Sequence, residues 1–213
     1  MDNEAVYAIV IAFLLNIVIS PFVIPYLQRL NLGQYVRDDG PNTHLKKAGT
    51  PTMGGIIILL SMFITSLFFA VGNKELHTVL FVTFSFGLIG FIDDYIKVVK
   101  KRSLGLKANQ KIVGQLVTAF IFYWMLKYYI KIDTSILLPF SGGREIDLGW
   151  AYLPFLLFGT LGTVNAVNLT DGLDGLASGV TVIVATYFTA VSWGVGSNVL
   201  PISAAAVGSL LGF

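Results

Sequence analysis

Long stretches of this chain carry no Asp, Glu, Lys or Arg: residues 5–28, 51–73, 76–92, 112–126, 148–170 and 175–213. A hydrocarbon core about 30 Å thick is crossed by roughly 20 apolar residues in helix, because unpaired backbone N–H and C=O groups are too costly in lipid. The last stretch contains Gly194, Gly196, Ser197, Asn198 and Pro201, a cluster of helix breakers that divides it. The pattern predicts spans near 5–28, 51–73, 76–95, 111–130, 149–169 and 176–193, and a seventh over 200–213. The first run follows Asp2 and Glu4 and is too long for a signal-peptide core, so it reads as a retained span. The chain stops at Phe213 in mid-span, as expected of the N-terminal part of a longer protein. Within Ile136–Leu148, two short segments flank Ser141-Gly142-Gly143, which predicts a small β-hairpin on the outer face. The expected fold class is an all-α polytopic membrane protein. It is a helical bundle forming one transmembrane domain over 1–213, with about six complete spans and a truncated seventh.

Composition agrees and narrows the function. The chain has 213 residues, 55% hydrophobic and 12% charged, with no Cys and a mean hydropathy of +0.77. Soluble domains are about one quarter charged. A soluble fold, disorder, a collagen or coiled-coil rod, a disulfide scaffold and sulfur redox chemistry are all excluded. The net charge is only +2 and the basic patches are short, so no nucleic acid is expected as partner. Placement of the charges says more. If the spans alternate, loops 29–50, 93–111 and 171–174 share one side and hold ten Lys and Arg residues, against four (Lys74, Lys127, Lys131 and Arg144) on the other. The positive-inside rule then puts the richer side in the cytoplasm and the N-terminus outside. Trp150 and Tyr152 suit an interfacial belt at the outer end of the fifth span.

Three unusual segments fall on the cytoplasmic side. Lys46-Lys-Ala-Gly-Thr-Pro-Thr-Met-Gly-Gly55 opens the second span. It is no Walker A loop, since Gly-Lys-Ser/Thr is missing. Thr50 as a helix cap with Pro51 in the first turn explains it structurally; a helix N-terminus beside lysines also attracts phosphate. Phe91-Ile-Asp-Asp-Tyr-Ile-Lys97 leaves the third span. Adjacent acids are disfavoured at a helix C-terminus, so a solvated anchor is the weaker reading. Carboxylates beside lysines at a wet membrane edge suit a divalent metal and phosphate positioning. Asn165-Ala-Val-Asn-Leu-Thr-Asp-Gly-Leu-Asp-Gly-Leu-Ala-Ser-Gly179 joins the fifth and sixth spans. Asp171 and Asp174 would share a face if helical, while Gly172 and Gly175 let backbone approach a ligand or turn sharply.

These strings, Gly49–Gly55, Phe91–Lys97 and Asn165–Leu176, resemble the phospho-N-acetylmuramoyl-pentapeptide transferase (translocase I) family, within the polyprenyl-phosphate N-acetylhexosamine-1-phosphate transferase superfamily. The likeness runs in order along the whole chain. It implies a ten-helix fold in the bacterial cytoplasmic (inner) membrane with a cytoplasmic active site and a Mg2+ cofactor. The implied reaction moves phospho-MurNAc-pentapeptide from UDP-MurNAc-pentapeptide to undecaprenyl phosphate, giving lipid I and UMP, the first membrane step of peptidoglycan and cell-wall synthesis. By this resemblance Asp93 and Asp94 are the acidic pair that binds metal and activates the lipid phosphate. Lys111 and Lys97 face phosphates, and Lys47 lies near the site. Asn168, Asp171, Gly172, Leu173 and Asp174 surround the nucleotide, with uracil near the last three. A third catalytic Asp, itself a metal ligand, and a histidine cluster belong to family segments beyond Phe213, so an incomplete site is expected here. The family's tendency to dimerise makes a homodimer the expected assembly.

The chemistry fits the placement. A lipid phosphate and a charged UDP-sugar meet only at the membrane surface, and phosphoryl transfer is mostly positioning and charge neutralisation. An alkyl phosphate, with its second pKa near 6, is already a nucleophilic dianion at neutral pH, which favours metal ligation over general-base work for Asp93 and Asp94. A covalent aspartyl-phosphate route stays open. The alternatives are a sibling transferase using UDP-GlcNAc or another UDP-HexNAc, a non-catalytic half that docks to a partner, or a membrane transporter. A transporter would place ionisable groups or broken helices at mid-membrane, where these spans hold no charge.

Overall fold

The computed structural model describes residues 3–29, 53–100, 104–138, 141–173 and 175–213. Among the described residues seven helices dominate: α1 (Glu4–Arg29), α2 (Gly55–Leu67), α3 (Lys74–Val99), α4 (Ala108–Trp124, continued as a π-helix over Met125–Ile130), α5 (Tyr152–Thr170, entered through a 3-10 turn at Gly149–Ala151), α6 (Leu176–Gly194) and α7 (Leu200–Gly212). Strands β1 (Ser135–Leu137) and β2 (Glu145–Asp147) form the expected hairpin, antiparallel, with Ile136 opposite Ile146.

Four of these helices are long and apolar enough to cross a membrane: α1, α3, α5 with its entry turn, and α6. The other expected spans correspond to shorter elements. α2 and α7 are 13 residues each, and α4 is 17 before its π continuation. The second expected span, 51–73, contains α2, Gly55–Leu67. Within the described residues α2 begins after Met53, which is in the left-handed region at φ 70, with Gly54 at the N-cap; the expected Thr50 cap and Pro51 lie outside the described residues. At the far end the chain leaves helix after Leu67 and turns, and Asn73 caps α3 by accepting from the Leu76 N–H at 2.9 Å.

The side-chain distribution is that of a bundle in lipid. Phe158 is 82% exposed and Phe22 75%, whereas Asn16 and Ser61 are fully buried. α7 packs against α1, α2 and α6, most extensively against α1. Ala204, Gly208 and Gly212 repeat every four residues, and a Cβ on Gly208 would overlap the backbone of Ile9, so small residues permit the close approach. Where the three helices meet, the Asn16 amide donates to the Ser209 carbonyl at 2.8 Å and to Ser61 Oγ at 3.2 Å.

Neighbouring helices share an antiparallel register. Leu59 lies over Gly87 and the Phe63 and Phe84 rings are 6.0 Å apart, so the same stepping brings Gly54 level with Ile92 and Asp93. Ile89 lies over Gly114, and four residues further down Asp93 faces Lys111. Gln115 pairs with Asn165 between α4 and α5, which brings Asn168 close to the depth of Lys111. The Phe213 ring covers Gly54 at this same end. The hairpin, Trp150 and the Asn73–Asn198 hydrogen bond (2.7 Å) occupy the other. The polar segments closing α3 and closing α5 thus share one end of the bundle with Gly54, at the start of α2.

Candidate functional site

Asp93 and Asp94 sit in the C-terminal part of α3, which runs on to Val99, four residues past the end of the expected span at 95. Carboxylates this near a helix C-terminus meet its partial negative charge, and Lys97 in the last turn offsets it. Its Nζ is 2.8 Å from Asp93 Oδ2 and 2.8 Å from Asp94 Oδ1. Lys111, one turn into α4, adds a second ammonium 3.9 Å from Asp93 Oδ2. The other oxygen, Oδ1, accepts the Leu106 backbone N–H at 2.8 Å, where Gly105 and Leu106 lie against α3. Asp93 is therefore buried (8% exposed) with each oxygen assigned, while Asp94 keeps a side chain 38% open.

These four charges sum to zero. An incoming phosphate dianion would leave the site strongly negative, so a further cation must accompany it. Among the described residues no group of three or more His, Cys, Asp or Glu side chains converges. Magnesium asks for less, because it is commonly held by one or two carboxylates, waters and substrate phosphates. Asp93 and Asp94 fit that role, since a single cation, the Lys97 ammonium, already stands within hydrogen-bond reach of both.

Asn168 lies exposed in the last turn of α5. Asp171 ends the helix at ψ 52, and the Gly172 N–H returns to the Thr170 carbonyl at 2.8 Å, so Asp171 sits in a turn and not on a helical face. Leu173 is 51% exposed, and Gly175, at φ 78, starts α6. Lys47 and Asp174 lie outside the described residues. Asp93, Asp94, Lys97 and Lys111 are thus in direct contact as a set, with Asn168 at similar depth on α5.

Sequence reasoning passes over the supports. Gln115 is 1% exposed and trades amide hydrogen bonds with Asn165 (2.8 and 3.4 Å), whose amide also reaches the Leu161 carbonyl at 2.8 Å. A lone Gln inside an apolar run is a visible signal for such a role. The backbone contact from Leu106 has no signal in the residue itself.

The family model for glycosyl transferase family 4 matches residues 76–213, which include the whole Asp93–Lys111 cluster and the Asn168–Leu173 turn. A signature described as phospho-N-acetylmuramoyl-pentapeptide-transferase signature 1 matches residues 47–59. Proteins named phospho-N-acetylmuramoyl-pentapeptide-transferase are similar along the chain. The one from Bacillus subtilis is 44% identical over 218 residues, covering 100% of this chain and 67% of its own length. That from Alkaliphilus metalliredigens is 47% identical over 224 residues, covering 99% and 67%, and that from Caldicellulosiruptor bescii 48% over 214 residues, covering 100% and 66%. The chain spans about two thirds of the length of these curated relatives. With a shared core of this extent and a paired-acid, paired-lysine cluster inside it, the chain belongs to the phospho-N-acetylmuramoyl-pentapeptide-transferase family, within glycosyl transferase family 4.

Proposed function

We propose that this protein transfers phospho-MurNAc-pentapeptide from UDP-MurNAc-pentapeptide to undecaprenyl phosphate, giving lipid I and UMP at the cytoplasmic face of a bacterial membrane. The observation that carries the reading is the Asp93 carboxylate, fixed by backbone at Oδ1 and facing two ammonium groups at Oδ2. A lipid phosphate oxygen attacks the sugar-bound phosphorus of the donor. The new P–O bond forms as the pyrophosphate P–O bond breaks, and its electron pair leaves with UMP. Lys111 and Lys97 lower the repulsion between two anions, and Asp93 holds both lysines in place. Asp94, more open, and Asp93 are the residues that would hold a magnesium ion, which when bound would neutralise charge on the leaving group. Asn168, Asp171, Gly172 and Leu173 take the nucleotide side in this reading; Asp174 and Lys47, the first residue of the matched signature, carry the roles that the family resemblance implies and lie outside the described residues.

In this reading the helices form a single transmembrane domain with six crossings and a seventh begun, N-terminus outside, and the protein acts as a homodimer. The test is UMP release in membranes carrying the protein, supplied with undecaprenyl phosphate and either UDP-MurNAc-pentapeptide or UDP-GlcNAc. Magnesium-dependent release with the first donor supports the reading; release with UDP-GlcNAc alone overturns it in favour of the sibling reaction.

A further inference from the structure

Gly105 stands directly on Asp93. A Cβ built at Gly105 would fall inside the van der Waals radii of both the Asp93 backbone carbonyl oxygen and its Oδ1, and 2.8 Å from Cγ. The neighbouring Leu106 N–H is the donor that fixes Oδ1. Gly105 does not adopt the left-handed conformation that demands glycine elsewhere in the chain, at Gly72 or Gly175 for example. Its backbone conformation admits alanine, and what forbids a side chain is the carboxylate beneath it. Gly90, one turn before Asp93 in the same helix, differs on this point: a Cβ there meets nothing within 4 Å.

We propose that Gly105 is a positioning residue for the transfer. The missing side chain lets the Gly105-Leu106 backbone close on Asp93, hold Oδ1 and so aim Oδ2 at Lys97 and Lys111. The carboxylate has one bond to the backbone and two ammonium neighbours on the opposite oxygen, so loss of the backbone bond frees it to rotate about its Cβ–Cγ bond and scatter both lysines. A side chain at 105 acts on the geometry of reacting groups and leaves the nucleotide turn after α5 untouched. This inference rests on the reading of Asp93 as part of the transfer site.

The experiment compares Gly105→Ala, Gly90→Ala and Asp93→Asn in the full-length membrane-embedded enzyme, reading kcat and the KM of both substrates from UMP release, with thermal unfolding in detergent as a check on folding. Misplacing a reacting group by an ångström costs on the order of 10- to 100-fold, so Gly105→Ala is expected to lose about that much in kcat while the KM for the UDP-sugar changes less than about twofold and Gly90→Ala matches the parent. Where Gly105→Ala does not fold, replacing Leu106 by its α-hydroxy acid removes the N–H donor without adding a side chain; kcat is then expected to fall by several-fold. Parental kcat in Gly105→Ala or in the ester variant overturns the inference, as does a loss confined to KM. If Asp93→Asn also retains parental activity, the functional reading itself fails; if Asp93→Asn is inactive and Gly105→Ala is not, only the role of Gly105 does.

Discussion

Gln115 and Asn165 exchange side-chain amide hydrogen bonds across α4 and α5, one turn above Lys111 on the first helix and one turn before Asn168 on the second. In a low-dielectric interior the pair holds the two helices in one register, because sliding by a residue would strand both amides. Gln115→Leu leaves the Asn165 amide short of partners and is expected to cost about 1–3 kcal/mol in stability. Gln115→Leu with Asn165→Leu together should cost less than the sum of the single changes. Thermal unfolding of the four proteins in one detergent checks this, and strict additivity would count against the clamp.

The α1–α7 contact depends on closeness. Gly208→Leu drives a side chain into the Ile9 backbone and forces the helices apart, removing the Asn16 hydrogen bonds to Ser209 and Ser61 with it. Overpacking of this kind costs about 1–3 kcal/mol or more, against roughly 0.6–1.7 kcal/mol for the hydrogen bonds alone in Asn16→Ala. Gly208→Leu should therefore be the more damaging of the two in unfolding measurements.

The hairpin carries an acid-sensitive latch. The Thr134 hydroxyl and the Gly149 N–H (2.9 Å) both donate to Asp147 Oδ1 and hold its carboxyl below the ordinary carboxylate range, the Thr134 bond foremost. Since the folded group titrates lower than the unfolded one, the latch contributes fully above about pH 4 and is lost as pH falls through the folded value. Trp150, close in sequence and 88% exposed, is a fluorescent reporter. In Thr134→Val the acid transition should move toward higher pH; an unchanged transition would remove the latch.

The chain contains no Cys, so introduced thiols report placement without background. Asn168→Cys should be labelled by a membrane-impermeant maleimide only when the cytoplasmic face is open, and Trp150→Cys only from outside. The reverse pattern would invert the topology proposed above.

Much of this architecture was legible in the residues. Uncharged runs locate the helices because lipid leaves them no other conformation. Asp93, Asp94 and Lys97 fall into contact through helical spacing alone, and Ser141-Gly142-Gly143 marks the hairpin. What escaped depends on contacts distant in sequence. Lys111 is expected at the site from the family resemblance, but its contact with Asp93 arises because α4 folds back along α3; Gly105 reads as ordinary loop until Asp93 lies beneath it. Helix ends also shifted for local reasons. Met53 is left-handed just before α2, and α3 runs to Val99 with Lys97 paired to both acids in its last turns.

In the proposed reaction Asp93 and Lys111 act together on the transferred phosphate. This joint action is tested most directly by the rate of UMP release from UDP-MurNAc-pentapeptide in membranes carrying Asp93→Asn, Lys111→Ala or both. Each single change is expected to lower the rate by about 100-fold or more, as removal of a preorganised charge does, and the double variant to fall little further because the two work through one contact. Parental rates in either single variant, or losses that multiply in the double, would contradict it.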